Sequence, residues 1–115
     1  MKKIEVSSII TNAFSSDQAL KLRDEMDKYL SNEEEVTLDF TDINKFTTLF
    51  FNFSTGYFIS TLGRNKYDSL VKVINLSDFG QNTYKNSYNN AIRNDYKNAT
   101  IKNEIISILE NPDEL

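Results

Sequence analysis

The stretch Val36-Thr-Leu-Asp-Phe-Thr-Asp-Ile-Asn-Lys-Phe46, running directly into Thr47-Thr-Leu-Phe-Phe51, decides the fold. Val36, Leu38 and Phe40 alternate with Thr37 and Asp39, so three apolar side chains point one way, as in a strand. Thr41-Asp-Ile-Asn44 closes the strand as a turn, with Ile43 directed back into the core. A helix then begins at Thr47 or Thr48, and its apolar periodicity carries it to about Leu62. Asp42, Asn44, Thr47 and Thr48 sit at the carboxyl end of this strand, where α/β sheets meet ligands and partners.

The helix after the turn carries two apolar stripes. At about 100° per residue, Phe46, Leu49, Phe50, Phe53 and Tyr57 cluster on one face, and Phe51, Phe58, Ile59 and Leu62 on roughly the opposite one. A surface helix normally shows a single stripe, so this one is expected to be covered on two sides. Either a second helix of the same domain covers the further stripe, or Phe51, Phe58 and Leu62 form the seam of a homodimer.

Working outward, Ile4 to Ile10 predicts a first strand, with its register uncertain at Ser7-Ser8. Ser15 predicts a helix N-cap, with Gln18 completing a capping box and Phe14 stapling against Ala19. That helix spans Ser16 to Leu30, with Ala19, Leu22, Met26, Tyr29 and Leu30 on one side. On its other side Lys21 with Glu25, and Asp24 with Lys28, are spaced for surface pairing. The acidic run in Ser31 to Glu35 reads as a solvated loop. Downstream, Gly63 predicts a left-handed helix stop, and Leu70 to Leu76 predicts a third strand that is interior by its near-continuous apolar character. A helix from Gln81 to Lys97 should point Tyr84, Tyr88, Ala91 and Ile92 inward and Lys85, Asn89, Arg93 and Lys97 outward. Ile101 to Glu110 predicts a last short helix stopped by Asn111-Pro112.

The order β-α-β-α-β-α-α predicts an α/β fold: a small mixed or mostly parallel sheet of three or four strands covered by helices. At 115 residues, residues 1–115 form a single domain. The chain is 39% hydrophobic and has 8 Phe and 6 Tyr, too apolar for disorder. Its net charge of -4 argues against nucleic-acid binding, which needs a basic field. With no Cys and no His, it has no disulfide framework, thiolate metal site or imidazole base. The apolar run Phe46 to Gly63 contains Thr, Asn and Ser and reads as a core helix instead of a membrane span. The N-terminus is too interrupted for a signal peptide, so the expected location is cytoplasmic.

No cofactor is expected. Gly56, Gly63 and Gly80 are the only glycines and make no phosphate loop. Asp39 and Asp42 are too close along the chain to face each other across a substrate as a hydrolytic pair. A Mg²⁺ site at Asp42 would lack a third ligand. Asp42 is expected to bond its own loop, as Asp does in turns.

The strand Val-Thr-Leu-Asp-Phe-Thr-Asp-Ile, its short turn and the Phe-rich helix resemble the STAS superfamily of anti-sigma-factor antagonists and sulfate-transporter tails. The unit is most similar to the STAS-like family of unknown function, and the resemblance is sharpest over Val36 to Leu62. In the antagonists a serine in an Asp-Ser-Ser-Gly turn is a phospho-switch. Matching strand ends aligns that motif with Thr47, Thr48, Leu49 and Phe50, so the chain departs from it at every position. Thr48, and less well Thr47, could still accept a phosphoryl group; the alternative role of either is to cap the helix. The resemblance implies a non-enzymatic regulatory module that docks a protein partner at this turn, an ATP-binding kinase-like regulator. The alternatives are a self-associating structural protein and a small-ligand or nucleotide-binding domain.

Overall fold

A computed structural model describes residues 2–104, with side chains through residue 93. Three parallel strands, β1 (Lys2–Glu5), β2 (Val36–Asp39) and β3 (Val71–Ile74), form one sheet in the order β1-β2-β3. The register sets Leu38 between Ile4 and Val73, and Val36 between Lys2 and Val71. Alternation therefore gathers Ile4, Val36, Leu38, Val71 and Val73 on one face, which the helices cover. Lys3, Glu5, Thr37, Asp39, Lys72 and Ile74 share the other face. This is the α/β architecture expected from the element order, with three strands, all parallel, among the described residues.

Between β1 and β2, helix α1 (Ser16–Leu30) has the predicted bounds and buries Ala19, Leu22, Met26 and Leu30. Ser15 caps it by accepting the Gln18 amide at 3.3 Å. The reciprocal half of the capping box does not form. Gln18 Oε1 instead accepts the Thr11 amide at 3.3 Å, tying the helix to the loop before it. Phe14 stays exposed, so it does not staple over Ala19. The ion pair on this helix is Lys28 with Glu25 at 2.9 Å, in place of the two pairs predicted from spacing. The first strand is also shorter than predicted. Ser8 Oγ donates to the Glu5 carbonyl at 2.7 Å and Val6–Ser8 turns into a 3-10 helix, a local bond that competes with the sheet ladder.

The predicted helix from Thr47 to Leu62 is two helices, α2 (Thr48–Phe53) and α3 (Thr55–Leu62). The break is at Ser54, with φ -105° and ψ -88°. Ser54 Oγ donates back to the Phe50 carbonyl at 2.9 Å and Thr55 Oγ1 to the Phe51 carbonyl at 3.3 Å. Hydroxyls bonding four residues back bend helices, and two in a row here end one.

Breaking the helix reassigns its faces. Phe51, Phe58 and Ile59 are buried, and Leu62 is partly buried against the core. Phe51 meets the rings of Phe40, Phe46, Phe50 and Tyr84 at 5.3–5.9 Å. The predicted dimer seam of Phe51, Phe58 and Leu62 is therefore covered within the chain and is not an open surface. Leu49 and Phe53, read from the sequence as core, are 48% and 42% exposed.

Two further corrections follow Gly63. Its φ of 89° is positive as expected, but with ψ 154° it is extended, a region essentially restricted to glycine. The chain then forms a helix the sequence reading missed, α4 (Arg64–Leu70), anchored by the buried Tyr67. β3 follows and is an edge strand, not an interior one, because β2 holds the centre.

Helix α5 (Asp78–Glu104) is continuous where two helices were predicted; residues 105–110 of the second lie outside the described residues. It packs on α2 and α3 through a line of small residues, Gly80, Thr83, Ser87 and Ala91. A Cβ at Gly80 would come within 2.9 Å of the Phe46 ring. Ser87 Oγ, fully buried, donates to Asn52 Oδ1 at 2.7 Å. The tyrosines predicted inward flank this line. Tyr84 and Tyr67 share a hydroxyl–hydroxyl bond of 2.8 Å, and Tyr88 donates to Asp68 at 2.7 Å, so α4 is fastened to α5.

Candidate functional site

The carboxyl end of β2 is organised by Asp39. Its Oδ1 accepts from the Thr41 hydroxyl at 2.6 Å, the Asn75 amide side chain at 2.9 Å and the Thr41 backbone N–H at 3.0 Å. Lys3 Nζ lies 3.2 Å from Oδ2. The Thr41 hydroxyl, the Asn75 amide and the Thr41 N–H favour the charged form in that order and hold the carboxyl well below the usual carboxylate range. A carboxylate this far down in pKa and this fully bonded is a poor general base. It clamps the ends of three strands together, since Lys3 is on β1 and Asn75 follows β3.

The loop bond predicted for Asp42 is thus made by Asp39. Asp42 is exposed, with φ 71°, a left-handed conformation that Asp tolerates better than most residues. It opens with Glu5, Ser7, Asp39 and Thr41 onto a cleft of about 200 Å³. Three carboxylates line that cleft, which disfavours a nucleotide phosphate on electrostatic grounds. No cluster of three or more metal-ligating side chains is present among the described residues.

The two threonines separate in role. Thr47 is the α2 cap: its Oγ1 accepts the Phe50 amide at 3.1 Å and donates to the Phe14 carbonyl at 2.6 Å. Its backbone is held as well, because Thr47 N–H donates to the Ala13 carbonyl and Ala13 N–H to the Lys45 carbonyl, each at 2.9 Å. This one-residue bridge, Ala13 to Phe46, ties the start of α1 to the start of α2. No periodicity announces it. Thr48, the first residue of α2, is half-buried, and its hydroxyl has no hydrogen-bond partner among the described residues. Asn44 is exposed in the preceding turn.

From Thr48 an open apolar strip runs along α2 and α3 through Leu49, Phe53 and Tyr57. Arg23 of α1 lays its guanidinium 3.9 Å from the Tyr57 ring centroid and closes that end of the strip. Leu20 of α1 and Phe14 before it are also exposed. The sequence reading had Asp42, Asn44, Thr47 and Thr48 as one group. The structure places Asp42 on the acidic cleft, uses Thr47 for capping, and sets Thr48 beside an apolar surface the sequence did not reveal.

The family model described as a STAS-like domain of unknown function matches residues 18–81, more than half of the 115-residue chain. The chain belongs to the STAS-like family. No curated protein and no solved structure matches it. The matched span begins inside α1 and ends in the first turn of α5, so it contains β2, β3, the turn and α2–α4. The STAS-like family description names no enzymatic activity. No helix among the described residues is long and apolar enough to cross a membrane.

Proposed function

We propose that this STAS-like domain is a non-enzymatic cytoplasmic regulator that docks a protein partner on the surface formed by Thr48, Leu49, Phe53 and the turn residues Asp42 and Asn44. The observation that carries the reading is the open apolar strip of Leu49 and Phe53 beginning beside the Thr48 hydroxyl, which has no partner among the described residues. Adjacent large apolar side chains left exposed beside polar residues are a frequent mark of protein interaction sites. The resemblance to anti-sigma-factor antagonists implies a partner of the ATP-binding kinase-like class and a phosphoryl acceptor at the start of this helix. Of the two candidates, Thr48 suits that role better, because Thr47 has both hydroxyl functions engaged. A phosphoryl group on Thr48 would add negative charge at a helix N-terminus, where it is electrostatically favoured, while changing the face a partner meets.

The test is capture from cell extract by the immobilised chain, compared with Phe53→Asp, Thr48→Glu and Asp42→Ala variants of unchanged circular dichroism. A partner with an ATP-binding fold, retained by the parent chain and lost by Phe53→Asp and Thr48→Glu, is the expected result. Equal recovery by every variant refutes the surface. The Thr48 peptide should gain one phosphoryl group on incubation with that partner and ATP.

A further inference from the structure

The edge of the sheet at β3 offers a second, independent surface. The Phe40 amide donates to the Ile74 carbonyl at 3.1 Å, so Ile74 directs its backbone groups toward β2. Backbone direction alternates along a strand, so Lys72 also faces β2, while Val71 and Val73 present their groups to the outer edge. The Val71 amide is already engaged, donating to the Tyr67 carbonyl as α4 ends. Among the described residues, the Val73 N–H and the Val71 and Val73 carbonyls have no partner and are left for a further strand.

Beside that edge, between β3 and α5, runs a trough of about 420 Å³ lined by Val73, Leu76, Gln81, Asn82, Tyr84 and Lys85. Its floor is apolar, with Val73, Leu76 and Tyr84 each half-buried. Its charged lining residue is a lysine, in a chain whose net charge is -4. On the opposite face of β3, Lys72 is exposed, and neither Lys72 nor Lys85 joins an ion pair among the described residues. The other edge, β1, is less suited: its Glu5 carbonyl already accepts the Ser8 hydroxyl, and in the cleft beside it Glu5 and Glu25 offset the charge of Lys2 and Lys3.

We propose that the free edge of β3 and the trough between it and α5 bind an extended peptide strand in which apolar and acidic residues alternate. The backbone of such a strand satisfies the open groups of Val71 and Val73. Its apolar side chains enter the trough over Val73, Leu76 and Tyr84. Its acidic side chains fall on the other face beside Lys72, and Lys85, at the trough, adds to the positive field that the acidic strand meets. Strand addition draws affinity from main-chain bonds and specificity from alternate side chains, and both are present here. The site is separate from the surface around Thr48, and its test does not depend on that reading.

The probe is a short fluorescein-labelled peptide of alternating valine and glutamate, followed by anisotropy with the full chain, and a valine–lysine repeat is the control. The valine–glutamate peptide is expected to bind and the valine–lysine peptide not to. Lys72→Glu with Lys85→Glu, both at exposed positions, should weaken binding about tenfold or more. Val73→Pro removes the outward donor but no bond to β2, a place where edge strands accept proline, and should abolish binding, whereas Val73→Ala, which trims the same half-buried side chain but keeps the amide, should retain it. Amide exchange reads the edge directly. The Val73 amide should exchange quickly in the free chain and slow down with peptide. Protection that grows with protein concentration would mean that a second copy occupies the edge, and protection at every concentration that the chain's own residues do; either overturns the proposal. So does peptide binding that the lysine reversals leave unchanged.

Discussion

The Thr47 hydroxyl donates to the Phe14 carbonyl at 2.6 Å while accepting the Phe50 amide at 3.1 Å, so one side chain caps α2 and fastens it to the entry of α1. Thr48, its neighbour, carries neither bond. Thr47→Ala should therefore cost about 1–2 kcal/mol, the range of a lost N-cap. Thr48→Ala should stay within about 0.5 kcal/mol, as for surface changes without a structural partner. Urea denaturation of both variants checks the difference. Similar losses for the two would mean that Thr47 is not the cap.

Asp39 predicts the acid limb of stability. Its carboxyl is held below its ordinary value in the folded chain, chiefly by Thr41 and then by Asn75, so folding favours the charged form. The stabilisation is full above the unfolded value of about 3.9 and is lost as pH falls through the folded value. The melting temperature should accordingly drop below about pH 4. Asp39→Asn should lower it at neutral pH and flatten that acid dependence. An Asp39→Asn profile parallel to the parent's would show that other carboxylates set the limb.

The exchange of inside and outside on α2 and α3 gives a paired test. Phe51→Ala opens a cavity among four rings and should cost about 3–5 kcal/mol. Phe53→Ala removes a ring that is 42% exposed and should cost under about 1 kcal/mol. Denaturant midpoints at constant slope read both. Phe53, not Phe51, should be the one whose loss affects partner capture.

Close approach sets the sign at two glycines, of the α2 backbone at Gly56 and of the Phe46 ring at Gly80 on α5. Alanine would ordinarily gain about 1 kcal/mol over glycine within a helix. At Gly56 an added Cβ meets the Phe51 backbone carbonyl at 3.1 Å, and at Gly80 it meets the Phe46 ring at 2.9 Å. That ring is stacked on Phe51 at 5.9 Å and has little room to move. Both substitutions to alanine should destabilise by about 1–3 kcal/mol, the overpacking range. Asn89→Ala, on the exposed side of the same helix, should be neutral or stabilising in thermal melts.

Much of the fold was legible because it depends on local periodicity. The alternation of Val36, Leu38 and Phe40, the Ser15 cap and the stripe from Ala19 to Leu30 are each decided by neighbours in the chain. They were enough to predict an α/β fold and to suggest the STAS-like family. The break at Ser54 lay in the sequence as a Ser-Thr pair, but whether those hydroxyls bond backward or outward depends on what surrounds the helix. Helix α4 was hidden because Arg64-Asn-Lys has no apolar period; its one buried anchor, Tyr67, takes meaning only from Tyr84, 17 residues away.

The candidate site divides in the same way. Sequence alone located the turn after β2 and its polar residues, because turn chemistry is local. It could not distinguish Thr47 from Thr48, since the deciding partner is the Phe14 carbonyl, 33 residues distant. It could not place Leu49 and Phe53 outside, because two apolar stripes on one helix are equivalent until α1 and α5 pack against it. Tertiary contacts made those choices, through bonds between residues remote in the chain and through the close approach that Gly56, Gly80 and Ser87 permit.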